Sequence, residues 1–494
     1  MTPVSILLTV LGYVAVLFVV AGFAGRKVTN RGFFTGNREN PWYVAALAMV
    51  GAAMSGVTFV SVPGAVAADS FSYMQMVAGF AVGQFVIAFV LIPLFYRLKV
   101  VSLYQYLDTR FGLTAHRTGA WFFFISKILG AALRVYVVCV AFQVLVFDPL
   151  GISFIINILC VMALVWLYTW RGGVKSVVWT DILHSLCLVS AIVLSIVFIL
   201  QSLGWSFADA VGTIRESSMS RILFFDDPES SRYFWKMFFG GVFVLVAMTG
   251  LDQDMMQRNL SCRSPRDAKI NIVITAFSQS VVILLLLVLG ALLYLYADRT
   301  GLALPPVGDQ VFGVVAVNGG LPLIVGIMFV IGLMSSTYSS AGAALTALTT
   351  SFTIDILRGD KRWPDRKLTR VRKGVHLAMA LVMALVILLF GRFGNDSVIN
   401  LVFKVASYTY GPILGMFAFG ILTRWQIRDR WLPLVAVMAP ILSALLQSIA
   451  ADKWGYQIGF ELIVYNALLT MVGMAFLVVR NPKSREHGIK SKIS

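Results

Sequence analysis

The sequence predicts an all-helical protein that crosses a membrane many times, and three observations carry that expectation. Hydrophobic residues make up 59% of the chain and charged ones 13%, with a mean hydropathy of +0.85, far outside the range of an ordinary soluble domain. Apolar runs of about 20 residues recur along its length, each enough to cross a hydrocarbon core about 30 Å thick as a helix. These runs are continuously apolar, whereas the strands of a membrane barrel would alternate.

Thirteen spans follow in order, near residues 4–25, 41–67, 72–98, 119–146, 150–170, 175–203, 233–253, 271–297, 320–352, 375–391, 397–423, 431–450 and 458–479. The basic residues test the count, because cytoplasmic loops collect Lys and Arg. With the N-terminus outside, the inner loops hold Arg26, Lys27, Arg31 and Arg38, then Arg97, Lys99, Arg110 and Arg117, then Arg171 and Lys175. Arg258, Arg263, Arg266 and Lys269 come next, followed by a dense run from Arg358 to Lys373, then Arg424, Arg428 and Arg430, and a basic tail from Arg480 to Lys492. About 30 of the 40 basic residues fall inside, which places the C-terminus in the cytoplasm and the chain in the plasma (inner) membrane.

The net charge of +17 is therefore an orientation signal and a contact with anionic lipid, and it calls for no nucleic acid. The first apolar run starts at Val4 with no basic region before it, so no cleavable leader is expected. Cys139, Cys160 and Cys187 fall in apolar runs and Cys262 in a basic loop, a distribution that suggests neither disulfide nor metal cluster. The outer loop 204–232 and the inner loop 353–374 are too short for a soluble domain, so the work must be done within the membrane. No Gly-rich phosphate loop with its lysine is present, and the four histidines are scattered. Transport fits this pattern and an intramembrane enzyme does not.

Ionisable groups inside a membrane span are costly and point to function. Arg134 lies about 15 residues into its helix, close to the midplane, with Lys127 two turns away on nearly the same face. It is either tied to a carboxylate or backbone carbonyls, or free to grip an anionic solute through two parallel hydrogen bonds. Asp181 either pairs with Lys175 at a helix end or binds a cation, with His184 one turn on. Ser335, Ser336, Thr337, Ser339 and Ser340 crowd hydroxyls into one span, as packing glue or as ligands. Gly51, Gly56, Pro63 and Gly64 interrupt another span, which marks an unwound segment whose carbonyls face a cavity. Carbonyls from one helix and hydroxyls from another make an oxygen-only cage suited to sodium.

In order along the chain, RGFFTGNR, AMSGVTFVSVPGAVA, SLYQYLDTRFG, GGVKSVVWTD, GLDQDMMQRNLSCRSPRDA, GLMSSTYSS and YTYGPILGMFAFGIL resemble the signatures of the sodium:solute symporter family. The resemblance implies a LeuT-type fold of two inverted five-helix repeats with broken helices meeting near the midplane. The repeats would be 41–203 and 233–423, with a first helix and lead-in at 1–40, an outer loop at 204–232, and two further helices and a basic tail at 424–494. It also implies a sodium site from the carbonyls of Gly51, Met54 and Gly332 and the hydroxyls of Ser335 and Ser336, glycine standing at 51 and 332 where alanine is usual. A second sodium would lie between Asp181, Ser335 and Ser339, although Tyr338 stands where a serine ligand is found and His184 where glutamine is common. Ser55, Thr58, Gln75, Gln279 and Tyr408 occupy faces that members use for solute, and Arg134 resembles an arginine that sialic acid carriers use for a carboxylate. The implied function is sodium-coupled symport, by a monomer, of a small organic acid such as a sugar acid or monocarboxylate. A neutral sugar, an amino acid, an inorganic anion, or proton coupling on the same fold are the alternatives.

Overall fold

Two helices that ought to run straight through the bundle do not, and their breaks organise the rest. The computed structural model describes residues 3–25, 29–170, 172–391 and 398–479; Arg26, Lys27, Arg171 and the basic tail from Arg480 lie outside them. Among the described residues the regular elements are all helical, with only isolated bridges such as Asn40 to Cys262 between them. Nine helices among the described residues, from Val4–Ala24 to Asp429–Trp454, are long and apolar enough to cross a membrane. Two bent pairs also qualify when each is taken together, and Phe154–Thr169 and Leu462–Phe476 are shorter apolar helices.

The first bent pair joins Trp42–Ala53 to Gly56–Asp69 at 56°. Met54 takes an extended backbone (φ −100°, ψ 107°), and the helix restarts because the Ser55 hydroxyl accepts the Thr58 N–H at 3.3 Å. Pro63, by contrast, sits within a continuous helix. The nearby glycines serve close approach: a Cβ on Gly64 would lie 2.1 Å from the Gly308 carbonyl oxygen, and one on Gly56 would lie 2.5 Å from the Thr337 hydroxyl.

The second bent pair joins Phe234–Gly250 to Gln253–Asn259 at 71°. Its first half ends in a π-helical turn, Val246–Gly250, a geometry often found at functional sites. Asp252 then caps the next helix, its carboxylate accepting the Asp254 N–H at 2.7 Å. This corrects the straight span expected to 253 and the loop position expected for Arg258, which is 2% exposed inside the bundle. Glycine packing brings Tyr73–Val86 against Phe234–Leu245: Cβ atoms on Gly79 and Gly241 would lie 2.1 Å and 2.4 Å from carbonyl oxygens across the contact.

Outside the bundle, Phe207–Glu216 closes the 204–232 loop with a reciprocal capping box between Ser206 and Asp209. The Ser206 hydroxyl and backbone N–H both donate to the Asp209 carboxylate and hold its pKa below the ordinary value.

A Gly64→Val variant is expected to lose about 1–3 kcal/mol through overpacking against a fixed carbonyl. Its melting temperature should fall in purified protein. Gly212→Ala, with nothing within 4 Å of its Cβ, should melt like the parent. Equal melting of all three would contradict the close approach at Gly64.

Candidate functional site

Buried charge surrounds a cavity of about 100 Å³ that opens beside the first break, room for several water molecules. Met54, Ser55 and Thr58 form one wall, and helix Leu113–Phe142 presents Lys127, Gly130 and Arg134 along another. Asp252, Tyr410 and Gln279 add polar groups to the lining, as do Tyr73, Ser126 and Thr249.

The charges there form a chain of alternating sign. Lys127 Nζ lies 3.0 Å from Asp252 and 2.5 Å from Asp254. Arg258 reaches the other Asp254 oxygen at 2.5 Å through Nη1 and Asp181 at 2.8 Å through Nε. The free oxygen of Asp181 accepts the Ser339 hydroxyl at 2.6 Å, and the Tyr410 hydroxyl donates to Asp252. All five charged groups are buried, and each has the opposite neighbour without which a buried ion would cost several kcal/mol. Asp181 thus pairs with Arg258, and the pairing with Lys175 weighed from sequence is not formed.

Arg134 stands apart from this chain. It lines the cavity and makes no hydrogen bond or ion pair with any described residue. Gly130, one turn earlier on the same face, has nothing within 4 Å of where a Cβ would be, which leaves the space below the guanidinium open. Of the two sequence readings for Arg134, a tie to carboxylate or carbonyl is absent among the described residues.

The five residues expected around sodium come from two helices that meet at the break. The helix ending at Ala53 leaves its last carbonyls without intrahelical donors, at the negative end of its dipole. Across from it runs Leu323–Ser351, whose buried Ser335 and Ser336 hydroxyls donate to Ile331 and Gly332 carbonyls at 2.7 Å and 2.9 Å. A hydroxyl that donates back to its own helix, as Ser336 does, keeps its lone pairs for a cation, while Ser335 also meets Tyr13 and Cys187 in hydrogen-bond contact. Gly56 lies against Ser336 and Thr337, and Gly332 against Phe59 and Ala191. Gly51 instead faces helix Val174–Leu203, its N–H donating to Ser185 at 2.7 Å. No group of three or more His, Cys, Asp or Glu that could hold a metal occurs among the described residues.

Ser55 and Thr58, 3.1 Å apart, share the cavity with Gln279, whose oxygen accepts from Gln84 at 2.8 Å. Gln75 and Tyr408 are not brought there. The Gln75 amide donates to the Ser72 and Arg232 carbonyls and accepts from Phe224 N–H, so it pins the 204–232 loop. Tyr408 donates to Gln447 at 2.7 Å on the far side of its helix, and Tyr410, two residues on, takes the cavity position. Asp252, Asp254, Arg258 and Tyr410 are absent from the sequence-predicted set. Two carboxylates and an arginine within seven residues at the end of an apolar run, with Lys127 unpartnered, were the available signal.

A model of the sodium:solute symporter family matches residues 33–426. Sodium-coupled monocarboxylate transporter 2 of Bos taurus is 26% identical over 428 residues, 83% of this chain and 67% of its own. The sodium/sialic acid symporter of Proteus mirabilis is 22% identical over 433 residues, 84% of each chain. A solved Na+-coupled sialic acid symporter, substrate-bound and outward-open, has a TM-score of 0.79 at 20% identity, covering 95% of this chain and 97% of its own, which shows a common fold.

Asp254→Ala would leave Lys127 and Arg258 facing each other in a buried space. Removing one partner of a buried pair costs about 3–5 kcal/mol, so the variant should melt well below the parent in detergent. A melting temperature within error of the parent would rule out the alternating chain.

Proposed function

Because the chain belongs to the sodium:solute symporter family, we propose that it carries a small organic acid across the membrane together with sodium, with Arg134 holding the carboxylate. The observation that carries this reading is a guanidinium in the cavity wall with no hydrogen bond or ion pair among the described residues, beside carboxylates that Lys127 and Arg258 already engage. A neutral solute would offer the guanidinium N–H groups no charged acceptor, whereas a carboxylate accepts two parallel hydrogen bonds from them. Relatives named for monocarboxylates and for sialic acid carry acids of this class. The chain is a transporter and not an enzyme.

Sodium enters as cargo and coupling ion. The carbonyls of Gly51, Met54 and Gly332 and the hydroxyls of Ser335 and Ser336 would replace its water shell. Met54 belongs to the cavity wall as well, so an ion that orders the break also orders the solute's side of it. A second ion near Asp181 and Ser339 would have to share a carboxylate that Arg258 already holds. A monocarboxylate carried with one sodium moves no net charge, so the membrane potential adds nothing and a tenfold sodium gradient, about 1.4 kcal/mol, supports about tenfold accumulation of the anion.

The topology we infer counts both bent pairs and both shorter apolar helices as spans, thirteen in all, with the N-terminus out and the C-terminus in at the plasma (inner) membrane. Each inferred repeat, 41–203 and 233–423, then opens on a broken helix, which supports the division. We read the working unit as a single chain.

Replacing Ser335 and Ser336 together with alanine should raise the sodium concentration for half-maximal uptake at least tenfold in proteoliposomes. Unchanged sodium dependence would leave a proton-coupled carrier as the better reading. Arg134→Gln should weaken binding of monocarboxylates by about 10- to 150-fold, the worth of a hydrogen bond to a charged group. A thermal-shift panel of acids and their amides, in sodium and in potassium, reads this directly. Retained acid hits in the variant would remove the anchor.

A further inference from the structure

We propose that a second pocket, where helices Tyr73–Leu98 and Pro265–Thr300 end side by side, binds the phosphate-bearing headgroup of an anionic phospholipid, whose acyl chains lie along the apolar faces of the same two helices. The pocket is an open groove of about 490 Å³, and five cations line it: Arg38, Arg97, Lys99, Arg263 and Lys269. No carboxylate contributes to its wall. Glu39 and Asp267, adjacent in sequence to these residues, leave the cluster with an excess of positive charge.

Three separate stretches of chain build this cluster, and several of its members are held in place. Arg38 donates through Nη2 to the Val100 carbonyl at 2.8 Å, and Arg263 through Nε to the Glu39 carbonyl at 2.7 Å, so each keeps further N–H groups for a ligand. Arg97 and Lys99 make no ion pair among the described residues. Among the described residues Arg38 and Lys99 are two of four non-glycine residues in the left-handed region, at φ 58° and 51°, and Lys99 takes it as the cap that ends helix Ile92–Leu98, its N–H donating to the Tyr96 carbonyl.

The apolar part of the site distinguishes a lipid from a free anion. Along one helix Phe277, Val273 and Lys269 recur at four-residue spacing, so an exposed apolar stripe ends in a cation. Along the other, exposed Phe85 and Phe89 stack on one face (ring centroids 6.3 Å apart), and Pro93 and Arg97 continue towards the pocket. The two stripes face each other, because Lys269 Nζ sits 5.4 Å from the centre of the Phe89 ring. Phe277 is 74% exposed and Phe89 61%. Rings standing this far out beside a cationic pocket match the shape of a phospholipid: charge at the membrane edge, hydrocarbon below it. Inorganic phosphate would use the cations alone, whereas a phospholipid engages the cations and the rings together.

Native mass spectrometry of the purified full chain, titrated with phosphatidylglycerol or phosphatidylcholine, tests this. Phosphatidylglycerol should be retained at least tenfold better. Arg97→Gln with Lys269→Gln should lower that retention at least tenfold, since each cation near an anionic surface is worth about fivefold. Lys99→Gln alone, at an exposed position, should lower it about fivefold, and it stands in should the double variant fail to fold. Arg366→Gln with Arg370→Gln, exposed cations on another helix, should change nothing. Phe89→Ala with Phe277→Ala should weaken the lipid. Equal retention of phosphatidylcholine, equal loss in the Arg366 and Arg370 control, or stabilisation by inorganic phosphate that phosphatidylglycerol does not exceed would each overturn the proposal.

Discussion

Five buried charges hold the centre of this molecule, three negative and two positive, and their pairing constrains everything around the cavity. Each comes out of water at a cost of several kcal/mol that only an opposite neighbour offsets. Asp181 belongs to helix Val174–Leu203, Lys127 to Leu113–Phe142, and Asp252, Asp254 and Arg258 to the second broken span. Ser339 and Tyr410 close the two ends from two further helices. One chain of contacts therefore ties five segments around a single space. The carboxylates nearest that space are engaged by Lys127 and Arg258, and the Arg134 N–H groups, unbonded among the described residues, are left for whatever enters.

The same chain of contacts joins the two ends of the proposed transport reaction. Its Asp181 end meets the serine-rich helix beside the expected sodium ligands, and its Asp252 end lines the solute cavity. The first break does likewise, with Gly56 against Ser336 and Thr337 and with Met54 and Ser55 in the cavity wall. An ion that fixes the carbonyls of this break changes the shape presented to the solute, and linkage requires the solute to change ion affinity by the same factor.

Much of this was readable from residue types alone, where one residue's chemistry suffices. Arg134 is conspicuous because a guanidinium in an apolar run needs a reason, and Ser335 and Ser336 because hydroxyls crowd there. The first break was expected within the stretch of Gly51, Gly56, Pro63 and Gly64, ahead of Ser55, and it falls at Met54 and Ser55, where a capping hydroxyl restarts the helix. Proline at 63 is tolerated by a helix that continues through it. The second break went unread because Asp252, Asp254 and Arg258 look like the polar end of a span. Only packing shows that Lys127, more than a hundred residues away, needs those carboxylates. Gln75 and Tyr408 show the opposite failure: a polar residue at a plausible helix position was given to the solute, while tertiary structure uses it to hold a loop or a neighbouring amide.

Carriage by coupled binding is tested most directly by equilibrium binding of radioactive sodium to the purified protein, with and without a saturating monocarboxylate. Sodium affinity should rise when the acid is present, and that rise should vanish in Arg134→Gln while sodium binding alone persists. A sodium affinity indifferent to every acid tried would contradict the link between the ion's oxygens and the guanidinium in the cavity.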